Sequence, residues 1–113
     1  MNFMNYLSEQ EKNCLQLFKE RVVKALKNNN VEFRLFGSRA RGQSHEDSDM
    51  DVLTLVTKKN TQIKKTIWDI AAEIKMDEAL AISPLIMTFE EFYSLLKRER
   101  LMAVNIEREG INL

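Results

Sequence analysis

The chain has 113 residues, 44% hydrophobic and 30% charged, which fits one compact domain spanning 1–113 and leaves no room for a second. Its 17 Lys and Arg balance 17 Asp and Glu, which excludes a general nucleic-acid binder carrying a basic excess. No apolar run approaches the ~20 residues that span a bilayer, so no membrane association is expected.

The opening MNFMNYLSEQ has no basic segment followed by an apolar one, so no signal peptide is expected. A helix should start near Ser8, because Ser8 and Glu11 have the spacing of a capping box. Cys14, Leu15, Phe18, Val22 and Leu26 then recur at helical spacing and form one apolar stripe. Cys14 is the only cysteine. It reads as a small buried hydrophobe rather than a nucleophile, and with no disulfide possible the expected compartment is the reducing cytoplasm. Asn28, Asn29 and Asn30 should stop this helix, since Asn competes for nearby backbone groups.

Val31 to Phe36 reads as a strand, with Val31, Phe33 and Leu35 alternating against Glu32 and Arg34. Gly37 ends it, and a polar connection follows, with one short helical turn expected from Ser38. Asp49 to Thr57 reads as a second strand, and its two-residue period puts Asp49, Asp51, Leu53 and Leu55 on one side. A second helix is expected from Thr61 to about Lys75, on the stripe Ile63, Ile67, Ile70, Ala71 and Ile74. Leu80 to Met87 reads as a third strand. Pro84 lacks an N–H, so that strand should lie at an edge or carry a bulge. Thr88 and Glu91 form a second capping box ahead of a third helix through Phe92, Leu95 and Leu96. A fourth helix is expected over Leu101 to Glu109, capped by Gly110. The order α-β-β-α-β-α-α predicts an α+β fold, a small mixed sheet with helices packed mainly on one face.

Chemistry concentrates in Gly37 to Asp51, GSRARGQSHEDSDMD. Gly37 has no side chain, so a phosphate can approach its backbone. The Ser38 hydroxyl and the N–H groups after it can donate to phosphate oxygens, and Arg39 and Arg41 add cationic donors. As plain turn residues and solvated charges these four would be unremarked, were it not for the acids that follow. Asp49 and Asp51, two apart at a strand start, repel one another and raise each other's proton affinity. Acids are poor strand residues, and a divalent cation relieves the repulsion. Magnesium suits the site, since it takes carboxylate oxygens and keeps positions for substrate phosphates. The four lysines Lys58, Lys59, Lys64 and Lys65 read as a solvated face, and the six methionines as core and interface filler.

Three other motifs fail on residues each would need. GSRARGQS nearly matches a P-loop, but Gln43 stands where the lysine belongs. Asp47, Asp49 and Asp51 resemble the start of a calcium loop, but Val52 replaces its turn glycine and Lys58 its final glutamate. His45 has no second His or Cys beside it for zinc.

Gly37-Ser38, ten intervening residues, then Asp49-Met50-Asp51 resembles the signature of the polymerase-beta-like nucleotidyltransferase superfamily. GSRARG followed by SDMDV, with ISPLIMTFEEF and the later NIEREG, is similar to its small stand-alone members, the minimal nucleotidyltransferases. The resemblance covers most of the chain. It implies that Gly37 and Ser38 bind the nucleotide, that Asp49 and Asp51 are the catalytic and magnesium-binding acids, and that ATP is the substrate. It implies a HEPN-domain RNase toxin as partner, either modified with AMP on a hydroxyl or neutralised by contact alone. Self-association is a further expectation, as cover for exposed apolar surface. Transfer to a small molecule is disfavoured, because the chain lacks an acceptor-binding domain. One departure stands out. Active members often carry a third carboxylate on the later central strand, but Leu80 to Met87 contains no acid, with Ser83 and Pro84 in that region. Asp77 and Glu78 lie just before it and would substitute only if the chain bends suitably.

Overall fold

The computed structural model describes residues 7–37 and 49–113. Within them the elements run α1 (Glu9–Ala25), β1 (Val31–Phe36), β2 (Met50–Val56), α2 (Thr61–Glu78), β3 (Ile82–Thr88), α3 (Phe89–Lys97), α4 (Leu101–Glu109) and β4 (Ile111–Asn112). Among the described residues no helix is long and apolar enough to cross a membrane.

Both capping boxes form. Ser8 Oγ accepts from the Glu11 N–H and the Glu11 carboxylate accepts from the Ser8 N–H, at 3.1 and 2.7 Å. Thr88 and Glu91 repeat the arrangement at the start of α3. Asn60 caps α2 by accepting from the Ile63 N–H at 2.8 Å. The far end of α2 is strained. Ala79 takes the left-handed conformation at φ 56°, ψ 28° while its N–H bonds to the Lys75 carbonyl. A β-carbon is unfavourable in that conformation, so Ala79→Gly is expected to stabilise the protein by about 0.5–1 kcal/mol. Urea denaturation measures this.

The sheet order is β3-β2-β1-β4. β1 pairs antiparallel with both β2 and β4, and β2 pairs parallel with β3 through the α2 crossover. β3 is an edge strand, the first of the two alternatives that Pro84 leaves. The Met50 N–H bonds to the Ala81 carbonyl at 2.9 Å, and in a parallel ladder alternate residues turn toward the partner. Ala81, Ser83 and Leu85 therefore face β2, and the missing N–H of Pro84 falls on the outer edge. There it also discourages a foreign strand from pairing.

Two clusters pack the two sides of the sheet. On one side Cys14, Leu15, Phe18 and Val22 of α1 and Ile67, Ile70, Ala71 and Ile74 of α2 meet Met50, Val52 and Val56 of β2. On the other, Phe92 of α3 and Ala103 and Ile106 of α4 cover Leu53 and Leu55 of β2. The helices thus divide between both faces rather than gathering mainly on one. The short α3 and α4, nine residues each, are too small to cover the second side singly and do so as a pair. Arg34 of β1 joins them: its guanidinium lies 5.4 Å from the centre of the Phe92 ring and pairs with Glu107 of α4.

β4 is an addition to the expected order. Gly110 does end α4, but in extended rather than left-handed conformation, φ −68° and ψ 148°. Its need for glycine is a close approach: a β-carbon there would sit 2.4 Å from the Ile106 carbonyl oxygen. The turn lays Ile111 and Asn112 against Leu35 and Arg34.

Candidate active site

The antiparallel register of β1 and β2 sets Phe36 opposite Asp51. The next residue, Gly37, turns the chain out of the sheet at φ +77°. A β-carbon on Gly37 would stand 2.7 Å from Asp51 Oδ2, so the Asp51 carboxylate lies directly over the bare backbone of Gly37. The strand end, the glycine and the acid are joined by pairing alone. The alternation of β2 turns Asp51 toward the side covered by α3 and α4, with Leu53 and Leu55 behind it.

Asp49 is exposed and lies one residue before β2 begins. Burial raises the proton affinity of the Asp51 carboxyl, and the negative charge of Asp49 raises it further. The two acids therefore stand close enough to repel. Among the described residues no group of three or more His, Cys, Asp or Glu side chains is placed to hold a metal ion. Asp49 and Asp51 could offer an ion two carboxylates at most, so an ion held there would need oxygens from elsewhere. That suits magnesium carrying phosphate ligands, and the missing β-carbon of Gly37 is what lets the Asp51 carboxylate lie against its backbone.

The raised affinity has a consequence for stability. A carboxyl protonated more readily in the folded than the unfolded chain favours folding below the ordinary carboxylate range, and that contribution is lost as pH rises through its folded value. Asp51→Asn is therefore expected to melt above wild type in chelator at neutral pH, with the gain shrinking on acidification. Thermal melts at the two pH values measure the difference.

Ser38, Arg39 and Arg41, together with the helical turn expected from Ser38, lie outside the described residues. Of the expected site residues the structure brings together Gly37, Asp49 and Asp51. The parallel register places Ser83 opposite Asp51, on the same face of the sheet, which is where a third carboxylate would meet the pair. Glu78 does not fill that role. It lines a recess with Gln10, Asn13, Cys14 and Leu17 beside α1, and its charge, after burial, helps raise the Cys14 thiol. That recess borders the opposite side of the sheet from Asp51. Asp77 precedes it in the last turn of α2.

One contribution escaped the sequence reading. Met102, Asn105, Ile106 and Glu109 of α4 line a cleft of about 150 Å³ with Phe36 and Gly37. Asn105 and Glu109 are four residues apart, one helical turn. Their spacing was visible, but only the position of α4 against β1 aims that face at Gly37. A larger groove, about 650 Å³, lies at the far end of β1 against Asn30, Glu32, Thr57 and Tyr93. It has no pair of acids and no left-handed glycine.

Residues 15–107 match the family model described as "Nucleotidyltransferase domain". A relative from Methanocaldococcus jannaschii named "Putative protein adenylyltransferase" is 40% identical over 70 residues, covering 61% of this chain and 71% of its own length.

Proposed function

The chain belongs to the nucleotidyltransferase-domain family and is a nucleotidyltransferase, and from that membership we propose that it transfers AMP from ATP to a hydroxyl of a partner protein. The name of the archaeal relative supports the choice of a protein acceptor. The observation that carries the reading is the Asp51 carboxylate lying over Gly37, with Asp49 beside it.

In this reading Asp49 and Asp51 hold Mg²⁺. Gly37 and Ser38 grip the triphosphate, and Arg39 and Arg41 donate to its oxygens. The acceptor oxygen forms a bond to the α-phosphorus while the bond from that phosphorus to the bridging oxygen breaks. Pyrophosphate leaves, and the hydroxyl proton passes to water or to a nearby base. Bound at the acids, a dication neutralises charge on the attacking and leaving oxygens. The protein's own work is to orient the triphosphate in line and to keep Asp51 fixed against the sheet.

The partner in this proposal is a HEPN-domain RNase toxin, with the present chain as its antitoxin in the cytoplasm. Incubation with labelled ATP, magnesium and a HEPN protein encoded beside this gene tests it. Label is expected on a hydroxyl side chain of the partner. A partner that stays unlabelled contradicts transfer.

Ser83 favours a second reading, an antitoxin that neutralises by contact with slow or no transfer. An absent general base typically lowers rate by about 10²–10⁴-fold. If Ser83 stands in for one, Ser83→Asp is expected to raise transfer by about tenfold or more, read as the initial rate of partner labelling. Neutralisation retained by Asp49→Asn/Asp51→Asn, with no label in wild type, would select the contact reading.

A further inference from the structure

We propose that the corner between α3 and α4 is where the acceptor protein docks, and that it takes a segment mixing acidic and large apolar side chains. The inference rests on the protein-acceptor reading above and adds the surface and the chemistry of what binds it.

Lys97, Arg98 and Arg100 fall within four residues at this corner, with Glu99 the one acid among them. All are exposed. Among the other described cations Lys12, Arg21, Arg34, Lys59 and Lys65 pair with an acid, while Lys24, Lys27, Lys58, Lys64, Lys75 and Arg108 do not; the corner is set apart by holding three cations within four residues. The side chains of Lys97, Arg98 and Arg100 make no ion pair or hydrogen bond with a described residue. In a chain whose charges sum to zero, three unpaired cations together are a local excess. The corner is also held in shape. The Arg98, Glu99 and Arg100 N–H groups bond back to Ser94, Leu96 and Leu95, and Glu99 takes φ 55°. Arg100 caps α4 without a side-chain hydrogen bond, so the partial positive charge of that helix end adds to the field.

The apolar part adjoins. Leu101 is 74% exposed and Met102 45%, although both lie in the first turn of a helix whose other side packs the second core cluster. Met102 is also a wall of the cleft that contains Gly37. The patch is therefore continuous with the reaction site: a segment on Leu101 and Met102 has its neighbouring residues at the cleft mouth. Charge selects the partner. The cations attract acids and repel a basic segment.

The test uses a fluorescent peptide alternating glutamate and leucine around one tyrosine, and a control with lysine in place of each glutamate. Anisotropy is expected to show binding of the glutamate peptide, weakened by salt, and none of the lysine peptide. Lys97→Glu/Arg98→Glu/Arg100→Glu is expected to weaken glutamate-peptide binding by about tenfold or more, with the affinity for a fluorescent ATP analogue unchanged. Leu101→Ser/Met102→Ser should weaken it also, with circular dichroism unchanged. Equal binding of both peptides would overturn the proposal. So would a triple variant that loses the ATP analogue but keeps the peptide, which would assign the cations to the triphosphate. Binding needs no transfer, so Asp49→Asn/Asp51→Asn should still bind the peptide. A wild-type protein that binds it yet labels no partner would fail as an adenylyltransferase while the docking surface stood.

Discussion

Asp49→Asn/Asp51→Asn is expected to lower nucleotide transfer by about 10³-fold or more while the protein stays folded. Asp49 lies one residue before β2 and Asp51 within it, held there by the pairing of Phe36 with its own backbone position. Asparagine keeps the size of each side chain and removes the charge that a cation needs. The same change relieves the repulsion that raises the Asp51 carboxyl, so loss of rate should come without loss of fold. Initial rates with labelled ATP, alongside circular dichroism, separate the two. A double variant that transfers at the wild-type rate would place the reaction elsewhere.

Gly37→Ala is expected to lower transfer by about 10²-fold, the scale of a misplacement near 1 Å at a reacting centre. It should also lower stability by about 1–2 kcal/mol, the penalty for an L residue in left-handed backbone. Two separate observations lead there. The backbone is at φ +77°, and the added carbon would meet Asp51 Oδ2 at 2.7 Å. The carboxylate has to move, and so does whatever it holds. The expected pattern is a drop in rate per folded molecule with a weaker apparent affinity for magnesium. A variant that is merely less stable, with wild-type rate at low temperature, would reduce Gly37 to a turn residue.

Much of the fold was legible because each signal was local. The capping boxes at Ser8 and Thr88 and the stripe from Cys14 to Leu26 specify their helices by short-range contacts, and β1 forms over the span its alternation predicts. Where the reading fell short, the cause is tertiary. Ile111 and Asn112 have no period of their own and become β4 only because Gly110 lets the chain turn tightly over Ile106. α2 runs past Lys75 to Glu78, because the exposed Met76, Asp77 and Glu78 continue the helix without extending its buried stripe. Its end is an alanine in left-handed conformation, where sequence rules look for glycine. The cover of the second face by α3 and α4 was hidden for a similar reason, since two nine-residue stripes do not say which side of a sheet they meet. In the site, a two-residue spacing sufficed to suggest paired acids, and the glycine before them suggested a phosphate approach. That Gly37 and Asp51 touch depends on strand register. That Asn105 and Glu109 border the same cleft depends on where α4 packs.

Manganese is a fit probe for the central claim, because it takes the same oxygen ligands as magnesium and scatters anomalously. Crystals grown with Mn²⁺ and a non-hydrolysable ATP analogue are expected to show an anomalous peak between the Asp49 and Asp51 carboxylates, with the triphosphate beside the backbone of Gly37. A peak and nucleotide bound away from those three residues, or a triphosphate seated in the groove at Glu32 and Tyr93, would contradict the account.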